Sequence, residues 1–111
     1  MVAHVVLFTP KATLSAGARA EFVRVLEAAL TGIPDIAGVR LGRRFAAGRA
    51  YDALGPAYEY VAILEFASHE ALDRYLTHPA HIALGAAFYD SLDRAVAADY
   101  TLVDDVRALE T

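Results

Sequence analysis

The sequence predicts an α+β fold, in which a four-stranded antiparallel sheet carries its helices on one face. Two observations predict it. Four segments are rich in β-branched and aromatic residues, and apolar residues recur at helical spacing after the first and third of these segments. No repeat or low-complexity tract interrupts this order, so we interpret residues 1–111 as a single domain.

The first half of the chain predicts a strand, a helix and a second strand. Val2 to Phe8 forms the first strand, which stops at Pro10. Ser15 can cap the helix that follows, and Gly32 and Pro34 end it. The apolar stripe of this helix consists of Phe22, Leu26, Ala29, Leu30 and Ile33. Ile36 to Phe45 alternates sufficiently for the second strand.

The second half predicts two strands that enclose a broken helical segment. Ala46 to Ala57 has no period and is interpreted as a loop, whereas Tyr58 to Phe66 is a strong third strand. Ser68 is expected to cap a short helix through Leu76.

Pro79 interrupts this helical segment and opens another helix, which is predicted to run to about Ala95. Val96 to Val106 is then the last strand. The resulting order, βαββαβ, is that of the ferredoxin-like fold.

Both faces of the predicted sheet are substantially apolar. If alternation holds, Val5 and Leu7 of the first strand and Val61 and Ile63 of the third point away from the helices. A bare apolar sheet face of this size is rare in a soluble monomer. We therefore predict a homodimer through the sheet face, forming a dimeric α+β barrel. The alternative is that strand alternation is merely imperfect in an alanine-rich chain.

Composition and charge exclude several classes of function. The net charge of −4 argues against nucleic acid as the main partner. The chain has no cysteine, which rules out thiolate zinc sites and cysteine nucleophiles. No apolar run approaches the length of a membrane span, and the first residues go directly into a strand pattern, so we expect no membrane association and a cytoplasmic location.

The residues with the clearest chemistry lie between Tyr75 and His81. Tyr75, His78 and His81 recur at intervals of three around Pro79, and His4 lies in the first strand. Imidazole moves protons near neutral pH, and a phenol can polarise an oxygen beside it. If folding brings His4 against this segment, the chain has an acid-base pocket that needs neither a metal nor a cofactor.

The two histidines around the proline are expected to play different roles. We expect His78 to serve the helix break, by capping or by holding backbone carbonyls, and His81 to turn inward. The reason is that Ile82 and Gly85 follow His81 on what is predicted to be the buried side. A His-x-x-His pair could also bind zinc, but no carboxylate follows at a known ligand spacing, so we assign no metal.

Several segments together carry a resemblance to a known family. They are His4 to Phe8, Ile33-Pro34-Asp35 through Val39 to Gly42, Leu64-Glu65-Phe66 with Glu70 and Ala71, Tyr75 to His81, and Asp99-Tyr100. On these residues the chain resembles the stress-responsive A/B barrel (Dabb) family. The Tyr75 to His81 segment is the most specific of these matches.

The resemblance implies a dimeric α+β barrel and a relation to polyketide cyclases of the olivetolic acid cyclase type, which close a linear polyketide without a cofactor. The active residues of such cyclases match Tyr75 and His81 here, with His4 lining the same cavity. Relatives often carry a histidine where this chain has Tyr60. Some members bind magnesium through backbone carbonyls in the region matching Leu30 to Ile36, which leaves no side-chain signature to test.

The sequence thus predicts a cofactor-independent cyclase or lyase acting on an apolar ketone or ester. His81 would be the general base, Tyr75 would bind the oxygen, and His4 would be the orienter or second proton carrier. The expected substrate-binding residues are Val6, Phe8, Phe22, Leu26, Tyr60, Phe88 and Leu92. A non-catalytic, stress-related binding or stability module and a cofactor-free monooxygenase are the alternatives.

Overall fold

In the computed structural model, residues 1–110 are described, and they form four strands, three α-helices and two short 3-10 helices. The elements in chain order are β1 (Val2–Pro10), α1 (Ala16–Gly32), β2 (Ile36–Arg43), β3 (Tyr60–Phe66), α2 (His69–Thr77), α3 (Pro79–Ser91) and β4 (Leu92–Thr101). The 3-10 helices span Ala50–Ala53 and Val106–Glu110. The predicted order βαββαβ is confirmed, with the second helical segment broken before Pro79.

The sheet has the strand order β2-β3-β1-β4, and each neighbouring pair is antiparallel. β1 is therefore a central strand. In its middle, His4 lies opposite Leu64 of β3 on one side and opposite Asp99 of β4 on the other. Directly opposed residues share a face, so these three side chains point to the same side of the sheet. This is the ferredoxin-like fold that the sequence predicts.

The core lies between this face and the helices. Along β1 and β3, most residues that face the helices are buried and most of their neighbours are only partly buried, as period-two alternation requires. The buried apolar cluster consists of Val2, Val6, Phe8, Phe22, Ala29, Ile33, Ala62, Leu64, Phe66, Ala71, Leu72, Tyr75, Leu84 and Leu92. Among the helices of residues 1–110, none combines the length and apolar character needed to cross a bilayer.

Two serines begin helices as predicted. The Ser15 hydroxyl accepts a hydrogen bond from the Ala18 N–H at 3.0 Å, at the start of α1. The Ser68 hydroxyl accepts from the Ala71 N–H at 3.1 Å, at the start of α2. Each hydroxyl satisfies one amide that would otherwise have no partner in the first turn.

The prediction for the end of α3 is wrong. The helix ends at Ser91, not near Ala95, and β4 begins at Leu92, four residues before the predicted start at Val96. Alanine-rich sequence fits a helix by propensity alone. Here pairing with β1 extends from Thr101 back to Leu92 and overrides that propensity.

The opposite face of the sheet carries the other apolar set. Val5 and Leu7 of β1 and Val61 and Ile63 of β3 are partly exposed there, and Val96 of β4 is 46% exposed. The register aligns Val5 with Ile63 and Leu7 with Val61, which makes one continuous apolar surface across the central strands. We call these five side chains the outer apolar face.

Candidate active site

A cavity of about 380 Å³ lies between the helix-facing side of the sheet and the helices. We call it the histidine cavity, because His4 of β1 and His81 of α3 both line it, with Tyr75 of α2. Its larger apolar wall residues are Val6, Leu26, Leu30, Leu64, Leu76, Leu84 and Phe88. The fold thus brings the imidazole of the first strand to the segment around the proline, in a pocket with apolar walls and few polar groups.

The Tyr75 ring packs near both imidazoles. Its ring centroid is 5.8 Å from that of His4, in an edge-on arrangement, and 4.7 Å from that of His81. The residue is only 2% exposed, and burial raises the pKa of its phenol to about 12. The phenol therefore keeps its proton at neutral pH and can donate it to an oxygen acceptor.

The Tyr75 hydroxyl faces the cavity. Within residues 1–110 it makes no hydrogen bond. Every fully buried side-chain oxygen or nitrogen in that range has a hydrogen-bond partner, so this hydroxyl is not fully buried. The hydroxyl is therefore accessible from the cavity space, where a bound molecule or water can meet it.

The helix break at Pro79 fixes the position of His81. Proline has no N–H, so the Tyr75 carbonyl accepts instead from the His78 N–H at 3.2 Å. In a continuous helix the Ala80 N–H would donate to the Leu76 carbonyl. Here it donates to Nδ1 of His78 at 3.0 Å. His78 therefore caps α3, which is the structural role expected for it.

The Leu76 carbonyl that this break leaves free accepts a hydrogen bond from Nδ1 of His81 at 3.0 Å. A carbonyl oxygen can only accept, so Nδ1 carries the hydrogen, and in the neutral imidazole Nε2 carries the lone pair. Burial lowers the pKa of His81, and a charge on nearby His4 lowers it further, although the bond to Leu76 opposes the shift. The neutral, basic form therefore predominates at pH 7.

His4 is held by a carboxylate on the neighbouring strand. Its Nδ1 donates to Oδ1 of Asp99 at 2.5 Å, between residues that the register places directly opposite each other. The imidazole is buried, and Nε2 is the ring nitrogen left for the cavity. Asp99 was not among the predicted site residues. Asp99 fell within the predicted last strand, but local sequence does not give the register that places it opposite His4 of β1.

The expected substrate-binding residues do not all line the histidine cavity. Val6, Leu26 and Phe88 line it, whereas Phe8, Phe22 and Tyr60 line a second cavity of about 540 Å³ beside it, toward which Leu26 also faces. Leu92 lines neither and belongs to the core at the start of β4.

We expected His81 to turn inward because Ile82 and Gly85 follow it on the predicted buried side, and this reason is wrong in one respect. Ile82 is 63% exposed and does not lie on the buried side of α3, although Gly85 does line the histidine cavity. The hydrogen bond to Leu76, not the periodicity of α3, orients the His81 ring.

In the part of the chain that the structure describes, no three histidine, aspartate or glutamate residues converge as metal ligands. The carbonyl site that the resemblance suggests between Leu30 and Ile36 stays a prediction. In that segment the Ile33 carbonyl accepts a hydrogen bond from the Ile36 N–H at 3.3 Å.

Comparison with known proteins gives a family match and several structural neighbours. A family model described as "Stress responsive A/B Barrel Domain" (Dabb) matches residues 2–102. No curated protein matches the chain in sequence.

Three solved structures have similar folds. The At3g17210 protein of Arabidopsis thaliana has 24% identity and a TM-score of 0.76, over 95% of this chain and 98% of its own. A dimeric ferredoxin-like protein of unknown function from Thermobifida fusca has 21% identity and a TM-score of 0.69, over 91% and 90%. A hydroxynitrile lyase from Passiflora edulis has 14% identity and a TM-score of 0.78, over 94% of each chain.

Proposed function

The chain belongs to the stress-responsive A/B barrel (Dabb) family, and from that premise we propose that it is a cofactor-independent lyase or cyclase. The histidine cavity would accept a small apolar molecule with a ketone or ester and make or break a carbon–carbon bond beside the carbonyl. The observation that carries the proposal is the state of His81: Nδ1–H is tied to Leu76, which leaves a basic Nε2 in a cavity with the Tyr75 hydroxyl.

The proposed chemistry begins with a proton transfer. Nε2 of His81 removes a proton from the carbon next to the carbonyl, and the electron pair moves onto the carbonyl oxygen. The Tyr75 hydroxyl donates a hydrogen bond to this developing enolate oxygen, and burial of the phenol makes that bond stronger than it would be in water.

The enolate carbon then attacks a second carbonyl of the same molecule, which closes a ring, and the new alkoxide takes a proton. In the reverse direction the base removes a hydroxyl proton, the carbon–carbon bond breaks, and the leaving carbon is protonated. His4, oriented by Asp99, is the proposed second proton carrier in either direction.

The hydroxynitrile lyase among the structural neighbours suggests a probe reaction for the lyase direction. Cleavage of a cyanohydrin needs a base for the hydroxyl proton and an acid for the departing cyanide. A neutral His81 and a hydrogen-bond donor in one apolar cavity can supply both, so a small aromatic cyanohydrin is a suitable second substrate to assay.

We also propose that two copies pack through the outer apolar face, as the sequence predicts. The support is the continuous apolar surface formed by Val5, Leu7, Val61, Ile63 and Val96, and the description of structural neighbours as dimeric. The histidine cavity, which none of these five side chains lines, would then remain separate from the interface. A cytoplasmic location stays part of this proposal.

Exchange of carbon-bound hydrogen tests the proposed base chemistry without knowledge of the natural substrate. In heavy water, wild-type protein should introduce deuterium next to the carbonyl of 4-phenylbutan-2-one faster than a His81→Gln variant, by about a hundredfold or more. Ile82→Gln is the matched control, since it changes an exposed neighbour on the same helix. A ketone that binds but exchanges equally in all three proteins would favour the non-catalytic binding module.

A further inference from the structure

The second cavity has a charge pattern that the proposed chemistry does not use. It lies between α1 and the ends of β2 and β3, and its wall is largely apolar, with Phe8, Phe22 and Leu26 on one side. Among the described residues, the only charged side chains that line it are Arg19 of α1 and Arg43 of β2, so no acidic side chain of residues 1–110 lines it. The chain as a whole nevertheless carries a net charge of −4.

Both of these guanidinium groups lack a carboxylate partner. Within residues 1–110, neither Arg19 nor Arg43 takes part in an ion pair or a side-chain hydrogen bond, whereas Arg24 pairs with Glu21 and Arg74 with Asp35. The guanidinium of Arg43 lies 5.7 Å from the centre of the Tyr60 ring, which holds it at the cavity wall. Two unpaired cations beside an apolar cavity favour a ligand with an apolar body and an anionic end.

The second cavity adjoins the histidine cavity. Leu26 lines both, and the rings of Phe22 and Phe88, one from each cavity, are 5.3 Å apart. The partition between the two spaces therefore consists of apolar side chains from α1 and α3. A ligand in the second cavity extends the same apolar environment that surrounds His81 and Tyr75.

We propose that the second cavity binds the carboxylate-terminated apolar chain of the substrate, with the carboxylate at Arg19 and Arg43. This proposal rests on the proposed function. Together they imply that the substrate is a keto acid, in which an apolar chain separates the reacting carbonyl from the acid group. With the carbonyl end in the histidine cavity and the acid end at the arginines, the connecting chain has to pass between the side chains of Leu26, Phe22 and Phe88 that form the partition. An apolar monocarboxylate without a ketone still fits the second cavity and binds there.

Calorimetric binding of decanoate tests this site separately from catalysis. Decanoate should bind wild-type protein more tightly than decanol does. Arg19→Gln and Arg43→Gln should each weaken decanoate binding by about tenfold and leave decanol binding unchanged within about twofold. Arg24→Gln is the matched control, because it removes the same charge from α1 outside the cavity.

The His81→Gln variant separates this proposal from the proposed function. It should bind decanoate as the wild type does, even if the exchange reaction is lost or was never present. Equal binding of decanol and decanoate would overturn the carboxylate site, as would equal losses in the Arg24 variant and the two cavity variants. Both arginines are exposed, so circular dichroism should show the variants folded.

Discussion

Nδ1 of His81 donates its hydrogen to the carbonyl of Leu76, 3.0 Å away, across the break between α2 and α3. The break itself frees this carbonyl, because Pro79 interrupts the regular helix bonds and Nδ1 of His78 accepts the hydrogen bond from the Ala80 N–H. One local feature of the sequence thus fixes the tautomer of the proposed base. The proposed base and the helix geometry therefore depend on the same few residues.

Removing only the phenol oxygen should reduce activity more than stability. In Tyr75→Phe the ring keeps its packing, including the 5.1 Å contact with the Phe66 ring, but the enolate loses its hydrogen-bond donor. We expect the deuterium-exchange rate to fall by about tenfold to a hundredfold, with little change in thermal midpoint. An unchanged rate would remove Tyr75 from the mechanism.

The same variant reveals the buried phenol in alkaline solution. The folded-state pKa of Tyr75 is raised from 10.0 to about 12, so its contribution to stability is complete below pH 10 and is lost as pH rises toward 12. The difference is worth on the order of 2 kcal/mol. Chemical denaturation between pH 9 and pH 12 should show a steeper loss for wild type than for Tyr75→Phe. Parallel curves would contradict the assignment.

We expect the Asp99 carboxylate on β4 to affect the exchange rate through its hydrogen bond with His4. Asp99→Asn keeps the shape of the side chain, but its amide no longer offers a charged acceptor to Nδ1 of His4. We expect about a tenfold loss in the exchange rate and a change in its pH profile, because the second proton carrier loses its orientation. The Asp93→Asn variant, also in β4 but not opposite His4 in the register, is the control.

The proposed dimer depends on the outer apolar face. Ile63→Glu places a carboxylate in the middle of that surface, where burial by a second copy would carry a large desolvation penalty. Analytical ultracentrifugation should show a dimer for the wild type and a monomer for this variant. Ile82→Glu makes the same substitution at an exposed position on α3 and should stay dimeric. A dimeric Ile63→Glu protein would place the interface elsewhere.

Much of this fold could be predicted from local sequence. The strong alternation of β1 and β3, the serine caps of α1 and α2, and Pro79 at the start of α3 are local features, and the structure agrees with all of them. Each is set by residues within a few positions of one another, which is the range over which propensity and capping act.

The position of β4 and the site that depends on it could not be predicted in the same way. Ala95, Ala97 and Ala98 suit a helix or a strand, and pairing with the distant β1 decides between them. The predicted strand included Asp99, but its register against β1, which places Asp99 opposite His4, depends on pairing between distant segments and was not predicted. The sequence suggested that His4 could meet His81, but not which carboxylate would hold it.

The division of the apolar space into two cavities could not be predicted from the sequence either. It results from how the rings of Phe8, Phe22 and Phe88 pack, with centroids 5.3 to 6.1 Å apart. All three residues were expected to surround one substrate. Side-chain packing between α1, α3 and β1 instead places them at the partition, a result of tertiary structure that spacing along the chain does not encode.

Nitrogen-15 NMR titration of the His81 ring is the most direct test of the proposed base. It distinguishes the two neutral tautomers and gives the pKa in one experiment, with His81→Gln to assign the signal. We predict a neutral ring at pH 7, hydrogen on Nδ1, and a pKa below the ordinary value of 6.5. Hydrogen on Nε2, or a ring still charged at pH 7, would contradict the role of His81 as the base.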